Sequence, residues 1–158
     1  NRKSDNLIDW TKDNETDKWE ARNFSEVVAQ GLETTINYQF KLGNHQQKIN
    51  LGYSFIDDNI KNNNIQFTQY SLNSIKHQFT SSISTKFCPI FSQHLSYRYV
   101  ERTNGQHYNV VDTKIGAMLK TRMEFFIAAN NIFNAEYTET NLVPMPKGNL
   151  MIGFIYKL

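Results

Sequence analysis

The residues able to do chemistry are few and scattered. Histidine occurs at His45, His77, His94 and His107, and no two have the spacing that seats a zinc ion or pairs a base with a nucleophile. Cys88 is the single cysteine, so neither an internal disulfide nor a thiolate cluster can form, and a turn or buried position is expected for it. Asp57 and Asp58 offer adjacent carboxylates, the oxygens a calcium ion prefers; among so many asparagines they read first as solvated loop acids. The sequence therefore predicts no catalytic residue, no cofactor and no metal, and a chain that is not an enzyme. What remains is aromatic. Trp10, Trp19, Tyr108 and Tyr137 stand beside polar segments, where rings next to hydrogen-bonding groups either contact a small ligand or anchor a protein at a membrane surface.

The elements that must position these side chains are strands. In Gly148 to Leu158, Leu150, Ile152, Phe154, Tyr156 and Leu158 alternate with Asn149, Met151, Gly153, Ile155 and Lys157, the period of a strand with one apolar face. The same alternation sets Leu32, Thr34, Ile36, Tyr38 and Phe40 on one face, then Ile49, Leu51, Tyr53 and Phe55, then His77 to Phe87 in odd numbers. Leu95, Tyr97 and Tyr99 continue it, followed by Val111 to Leu119 and by Met123, Phe125, Ile127 and Ala129. Residues 1–10 read as a weak strand and 11–23 as a polar loop. Short turns are expected at 41–46, 88–92 and 120–122, and long polar connections at 56–73, 101–107 and 130–148.

Composition narrows the class. The chain has 158 residues, a net charge of +2 and 13% aromatic residues, enough for one domain rich in strands. Basic residues are interspersed with acidic ones, which argues against a nucleic-acid partner. Mean hydropathy is −0.58 and no run approaches the ~18 apolar residues of a spanning helix. A β-barrel escapes that test, because half of each strand faces a polar interior. Asn1 to Trp10 lacks the pattern of a signal peptide, so either a leader has been removed or the chain begins inside a longer protein.

Alternation alone fits a soluble sandwich or a lipocalin-like ligand-binding barrel as well as a membrane barrel. Three features favour the membrane. The strands approach the ~9 to 11 residues that cross a bilayer at a tilt. Their apolar faces lack Lys, Arg, Asp and Glu except Glu101 at a strand end, and aromatics such as Phe40, Phe55, Phe87 and Tyr99 gather near the strand ends, as interfacial girdles do. The inward charges Glu33, Lys48, Lys76, Lys86, Arg98, Asp112 and Lys114 would then line a wet lumen.

Several stretches carry a family likeness. Gly153, Phe154, Tyr156 and Leu158 resemble the terminal assembly signal of bacterial outer-membrane barrels, with Met151 in place of the usual polar opening residue and Leu158 in place of Phe. NLIDW at 6–10, the Gly31-Leu32-Glu33 triplet, Asn131-Ile132-Phe133-Asn134 followed by Tyr137, and VPMPKG at 143–148 are similar to segments of TonB-dependent outer-membrane receptors, in that family's order. The resemblance implies an all-β, antiparallel transmembrane β-barrel segment over 1–158, about eight strands of a 22-stranded barrel of the plugged type. It implies TonB-dependent uptake of a scarce bulky nutrient: a ferric siderophore, haem or cobalamin, the LIDW stretch leaning toward cobalamin. The partners implied are the remaining barrel and plug domain, the TonB complex acting through the plug, outer-membrane lipid and the ligand. A self-contained eight-stranded outer-membrane barrel with a structural or adhesion role is the alternative within the membrane.

Overall fold

The structure, a computed structural model, describes residues 1–60, 67–68, 74–119, 122–139 and 143–156. These form one antiparallel sheet of nine strands: β1 (Arg2–Lys12), β2 (Glu20–Leu42), β3 (His45–Ile60), β4 (Phe67–Thr68), β5 (Ile75–Lys86), β6 (Phe91–Arg102), β7 (His107–Leu119), β8 (Met123–Asn130) and β9 (Asn149–Tyr156). Strand order is β4-β1-β2-β3-β5-β6-β7-β8-β9. The sheet is a meander except for β4, which crosses back to pair Thr68 with Thr11 and Phe67 with Lys12.

Register turns the separate stripes into one surface. Directly paired residues share a face, and the ladder runs Ile36 to Leu51, Leu51 to Ser81, Ser81 to Tyr97 and Tyr97 to Val111. Farther along, Ile115 pairs with Ile127 and Ile127 with Ile152. Every apolar stripe from β2 to β9 thus lies on the same side. That side is open: Ile36 is 55% exposed, Ile115 50% and Ile152 77%. The best-buried apolar residues among those described, Val100, Val110 and Ala128, lie on the polar face instead. The arrangement inverts a soluble sheet, whose apolar face is its core.

Several boundaries differ from expectation. The first turn is only Gly43-Asn44, with Gly43 at φ 61°, the positive angle a two-residue II′ hairpin needs at its first position. β3 runs on to Ile60 through residues expected to form a loop, and β2 starts at Glu20; there the backbone ladder continues without an apolar stripe to announce it. Thr103 to Gln106, expected as a long connection, is a four-residue turn as short as Phe87 to Ile90. The alternation of short turns and long loops therefore holds only in part.

Among the described residues two edges stay open. β1 pairs with β2 from Arg2↔Ala29 to Thr11↔Glu20, which leaves Leu32 to Leu42 without a described partner on that side. Among the described residues β9 pairs only with β8. Six antiparallel steps separate β2 from β9, so the two run parallel and cannot close on each other in an antiparallel ladder.

Candidate functional site

The segment between β8 and β9 folds back across the polar face as a strap. Asn131 begins it with φ 48°, followed by Asn134 at φ 55°, a left-handed conformation that asparagine tolerates better than most residues. The Asn131 amide donates to Asp112 Oδ1 at 2.7 Å. Its side chain, 3% exposed, donates to the carbonyls of Ala135 at 2.9 Å and Pro146 at 3.3 Å and accepts from the Ala135 amide at 2.8 Å. Asn134 Oδ1 accepts from the Gly148 amide at 2.9 Å. Two side chains thereby gather both ends of the strap.

Its middle is held to the wall by charge and stacking. Arg98 on β6 meets the Glu139 carboxylate at 2.7 Å and makes a longer 3.4 Å contact with the Tyr137 hydroxyl. Arg102, four residues farther along β6, donates to the carbonyls of Thr138 and Glu139 at 3.0 and 2.7 Å. Tyr137 stacks on Tyr108 with centroids 4.5 Å apart. Val100, opposite Tyr108, and Val110, opposite Arg98, keep only 1% and 3% of their surface exposed. At the strap's exposed side, Lys147 pairs with Glu136 at 2.7 Å; the Lys147 ammonium lowers the Glu136 carboxyl below its ordinary range, and Glu136 raises Lys147 in return.

Strap and wall enclose a pocket of about 630 Å³ whose lining includes Arg102, Gln106, His107, Tyr108, Tyr137 and Pro144. A second pocket of about 400 Å³ opens on the same face and is lined by Gln47, Lys48, Lys86, His94, Lys114 and Glu124, among others. In it Lys114 Nζ pairs with Glu124 at 2.9 Å while lying 4.4 Å from the Phe126 ring centroid, and His94 Nδ1 bonds Ser84 Oγ at 2.9 Å. Such surfaces suit hydroxyl-rich or acceptor-rich molecules, with tyrosine rings for flat apolar faces. Among the described residues no group of three His, Cys, Asp or Glu could hold a metal ion.

The four expected aromatic contacts do not converge. Tyr108 and Tyr137 share the strap pocket. Trp10 lies on β1 opposite Ala21, half exposed, and Trp19 follows in the β1–β2 connection with the Lys12 ammonium 5.1 Å over its ring. Asp57 and Asp58 sit in β3 opposite Gln30 and Ala29; adjacent strand residues point to opposite faces, so they do not form a shared chelate. His94 is inside β6, and His107 opens β7. Cys88 occupies the β5–β6 turn as expected, its sulfur accepting from the Phe91 amide at 3.3 Å.

The terminal signal acquires a packing role. Gly153 pairs with Phe126, and a Cβ at Gly153 would lie 2.6 Å from that ring; the glycine leaves the slot the ring fills. Phe154 and Tyr156 lie on the apolar face, 66% and 51% exposed, while Leu158 falls outside the described residues. Sequence reading missed Arg102, Asn131 and Glu139 as strap anchors. Two asparagines three apart, both suited to a left-handed bend, were the available signal. No family model, curated protein or solved structure matches the chain.

Proposed function

We propose that this chain is the C-terminal part of the barrel of a TonB-dependent outer-membrane receptor, taking up a bulky scarce nutrient of the siderophore, haem or cobalamin kind. The observation that carries this reading is the single exposed apolar surface running unbroken from β2 to β9, opposite a face of Lys, Arg, Asn, Gln and Ser. In water such a sheet would expose far more apolar area than a soluble monomer tolerates; against hydrocarbon it is the stable choice. Phe91 to Tyr99 spans about 26 Å of strand, comparable to the apolar band of such barrels once tilted.

The open edges favour a larger barrel over the eight-stranded alternative. Seven strands cross the apolar band, and antiparallel closure from β9 back to β2 takes an odd number more. β1 contributes no described residue to the free edge Leu32 to Leu42. The remaining barrel supplies those strands, a plug domain fills the lumen beside the polar face, and the TonB complex acts through that plug. In this reading the strap pocket belongs to the route of the ligand. The test is equilibrium binding of cobalamin, haem and ferric siderophores to the complete receptor, with uptake measured in cells with and without TonB. One ligand bound and carried only when TonB is present is the expected result; no binding of any class contradicts the assignment.

A further inference from the structure

The second pocket of the polar face is built around Ser84. Lys48 on β3 stands directly opposite it on one side and His94 on β6 directly opposite on the other. Lys86 follows two residues along β5, so all four side chains share one face. Directly paired side chains start about 4.5–5.5 Å apart and next-but-one neighbours in a strand about 7 Å apart. Three basic groups thus ring one hydroxyl. Lys114 extends the row beyond His94, but its ammonium is taken by Glu124 and by the Phe126 ring. Among the described residues neither Lys48 nor Lys86 meets a carboxylate.

Charge and donors specify an occupant. Among the described residues that line the pocket, Lys48, Lys86 and Lys114 oppose Glu124 alone, three positive charges against one negative. Two unpaired ammoniums on neighbouring strands of one face repel each other, and a bound dianion removes that cost. His94 Nδ1 and Ser84 Oγ are bonded at 2.9 Å, and the pair keeps a further donor in either tautomer. It is Nε2–H when Ser84 donates to Nδ1, and the Ser84 hydroxyl when Nδ1–H donates to Oγ. Lysine ammoniums bind phosphate as point charges, whereas planar bidentate recognition of a carboxylate calls for arginine. Among the described residues no arginine lines this pocket.

We infer that this pocket is a binding site for a phosphate monoester, which carries close to two negative charges at neutral pH. Its terminal oxygens accept from Lys48, Lys86 and the Ser84–His94 pair, and its organic part occupies the rest of the space of about 400 Å³. His94 lies about 26 Å along β6 from Arg102 of the strap pocket, beside the short β5–β6 turn. The two pockets are therefore separate sites. The inference rests on the donors of the polar face and holds whatever lies against the apolar one.

The test is isothermal titration calorimetry of the complete protein in mild detergent with glycerol 3-phosphate, at low ionic strength, where charged groups act most strongly. The expected result is saturable binding of one glycerol 3-phosphate per chain, at least tenfold tighter than dimethyl phosphate, which carries a single charge. Lys48→Met and Lys86→Met each weaken it at least fivefold. Lys76→Met, which removes a cation about 33 Å away at the far end of β5, changes it less than twofold. Circular dichroism confirms that each variant has folded. Absence of saturable binding, dimethyl phosphate bound as tightly as glycerol 3-phosphate, or the dicarboxylate succinate bound more tightly than either overturns the site. So does parental affinity in folded Lys48→Met and Lys86→Met, or a loss in Lys76→Met as large as theirs, which marks a diffuse field in place of a pocket.

Discussion

Tyr108 and Tyr137, far apart in sequence, stack ring on ring with centroids 4.5 Å apart and planes 28° from parallel. One ring belongs to the wall and the other to the strap, so this contact joins the two parts of the candidate site. Arg98 adds a cation 5.8 Å from the Tyr137 ring centroid. Aromatic pairs contribute about 0.5–1.5 kcal/mol beyond the area they bury. A double-mutant cycle of Tyr108→Ala and Tyr137→Ala, read by denaturant unfolding in bilayers, is expected to give a coupling of about 1 kcal/mol. Tyr137→Phe keeps the stack and loses only the long hydroxyl contact, so it costs well under 1 kcal/mol.

Asn131 should be the least replaceable residue of the strap. Its buried side chain makes three hydrogen bonds and its backbone is left-handed. Asn131→Ala removes the bonds and strains the backbone, at an expected cost of about 2–4 kcal/mol. Asn131→Gly relieves the strain and recovers part of the loss. Unfolding midpoints of the two variants check this, and equal stability of Asn131→Ala and the unaltered chain would refute the clamp.

Gly153→Ala forces the new methyl against Phe126. Overpacking of this kind costs about 1–3 kcal/mol, and Phe126→Leu in the same chain should restore most of it, because the smaller side chain vacates the slot. Unfolding in bilayers measures both. A Gly153→Ala variant as stable as the parent would mean that the ring moves aside freely.

Lys147 and Glu136 set a local pH window. The Glu136 carboxyl titrates below its ordinary value, so its contribution is complete above the ordinary carboxylate range and disappears as pH falls through the lowered value. Lys147 titrates above its ordinary value, so its contribution is complete below the ordinary lysine range and disappears as pH rises through the raised one. Between those limits the pair is intact. Both groups are exposed and the stabilisation is small, so the readout is the titration itself: NMR of Lys147→Met should show Glu136 back in the ordinary carboxylate range.

The phase of the strands from β2 to β9 was legible because apolar and polar side chains alternate there with almost no exception. Leu32 to Phe40, Ile49 to Phe55 and Leu150 to Tyr156 could be assigned residue by residue, and the observed register places all three stripes on one side. Periodicity says nothing where that alternation lapses. Glu20 to Asn23 and Ile56 to Ile60 are strands held by backbone pairing, with mixed side chains, so they read as loops. The strap was invisible for a different reason. Its placement depends on partners distant in the chain, Arg98 with Glu139 and Arg102 with two carbonyls, and periodicity carries no information about such pairs. Of the four aromatics singled out in the sequence, Tyr108 and Tyr137 share the strap pocket, while Trp10 lies on β1 and Trp19 in the β1–β2 connection.

The central claim is that the apolar face meets lipid and the polar face meets water. It is tested most directly by single-tryptophan fluorescence of the complete protein in bilayers, with every other tryptophan, including Trp10 and Trp19, replaced by Phe. Tryptophan is placed in turn at Leu51 and Ile115 on the apolar face and at Asn50 and Lys114 on the polar face. The account predicts that brominated acyl chains quench L51W and I115W strongly and N50W and K114W weakly, with aqueous iodide giving the reverse order. Iodide reaching L51W and I115W as readily as N50W and K114W, with no quenching by brominated lipid, would contradict it.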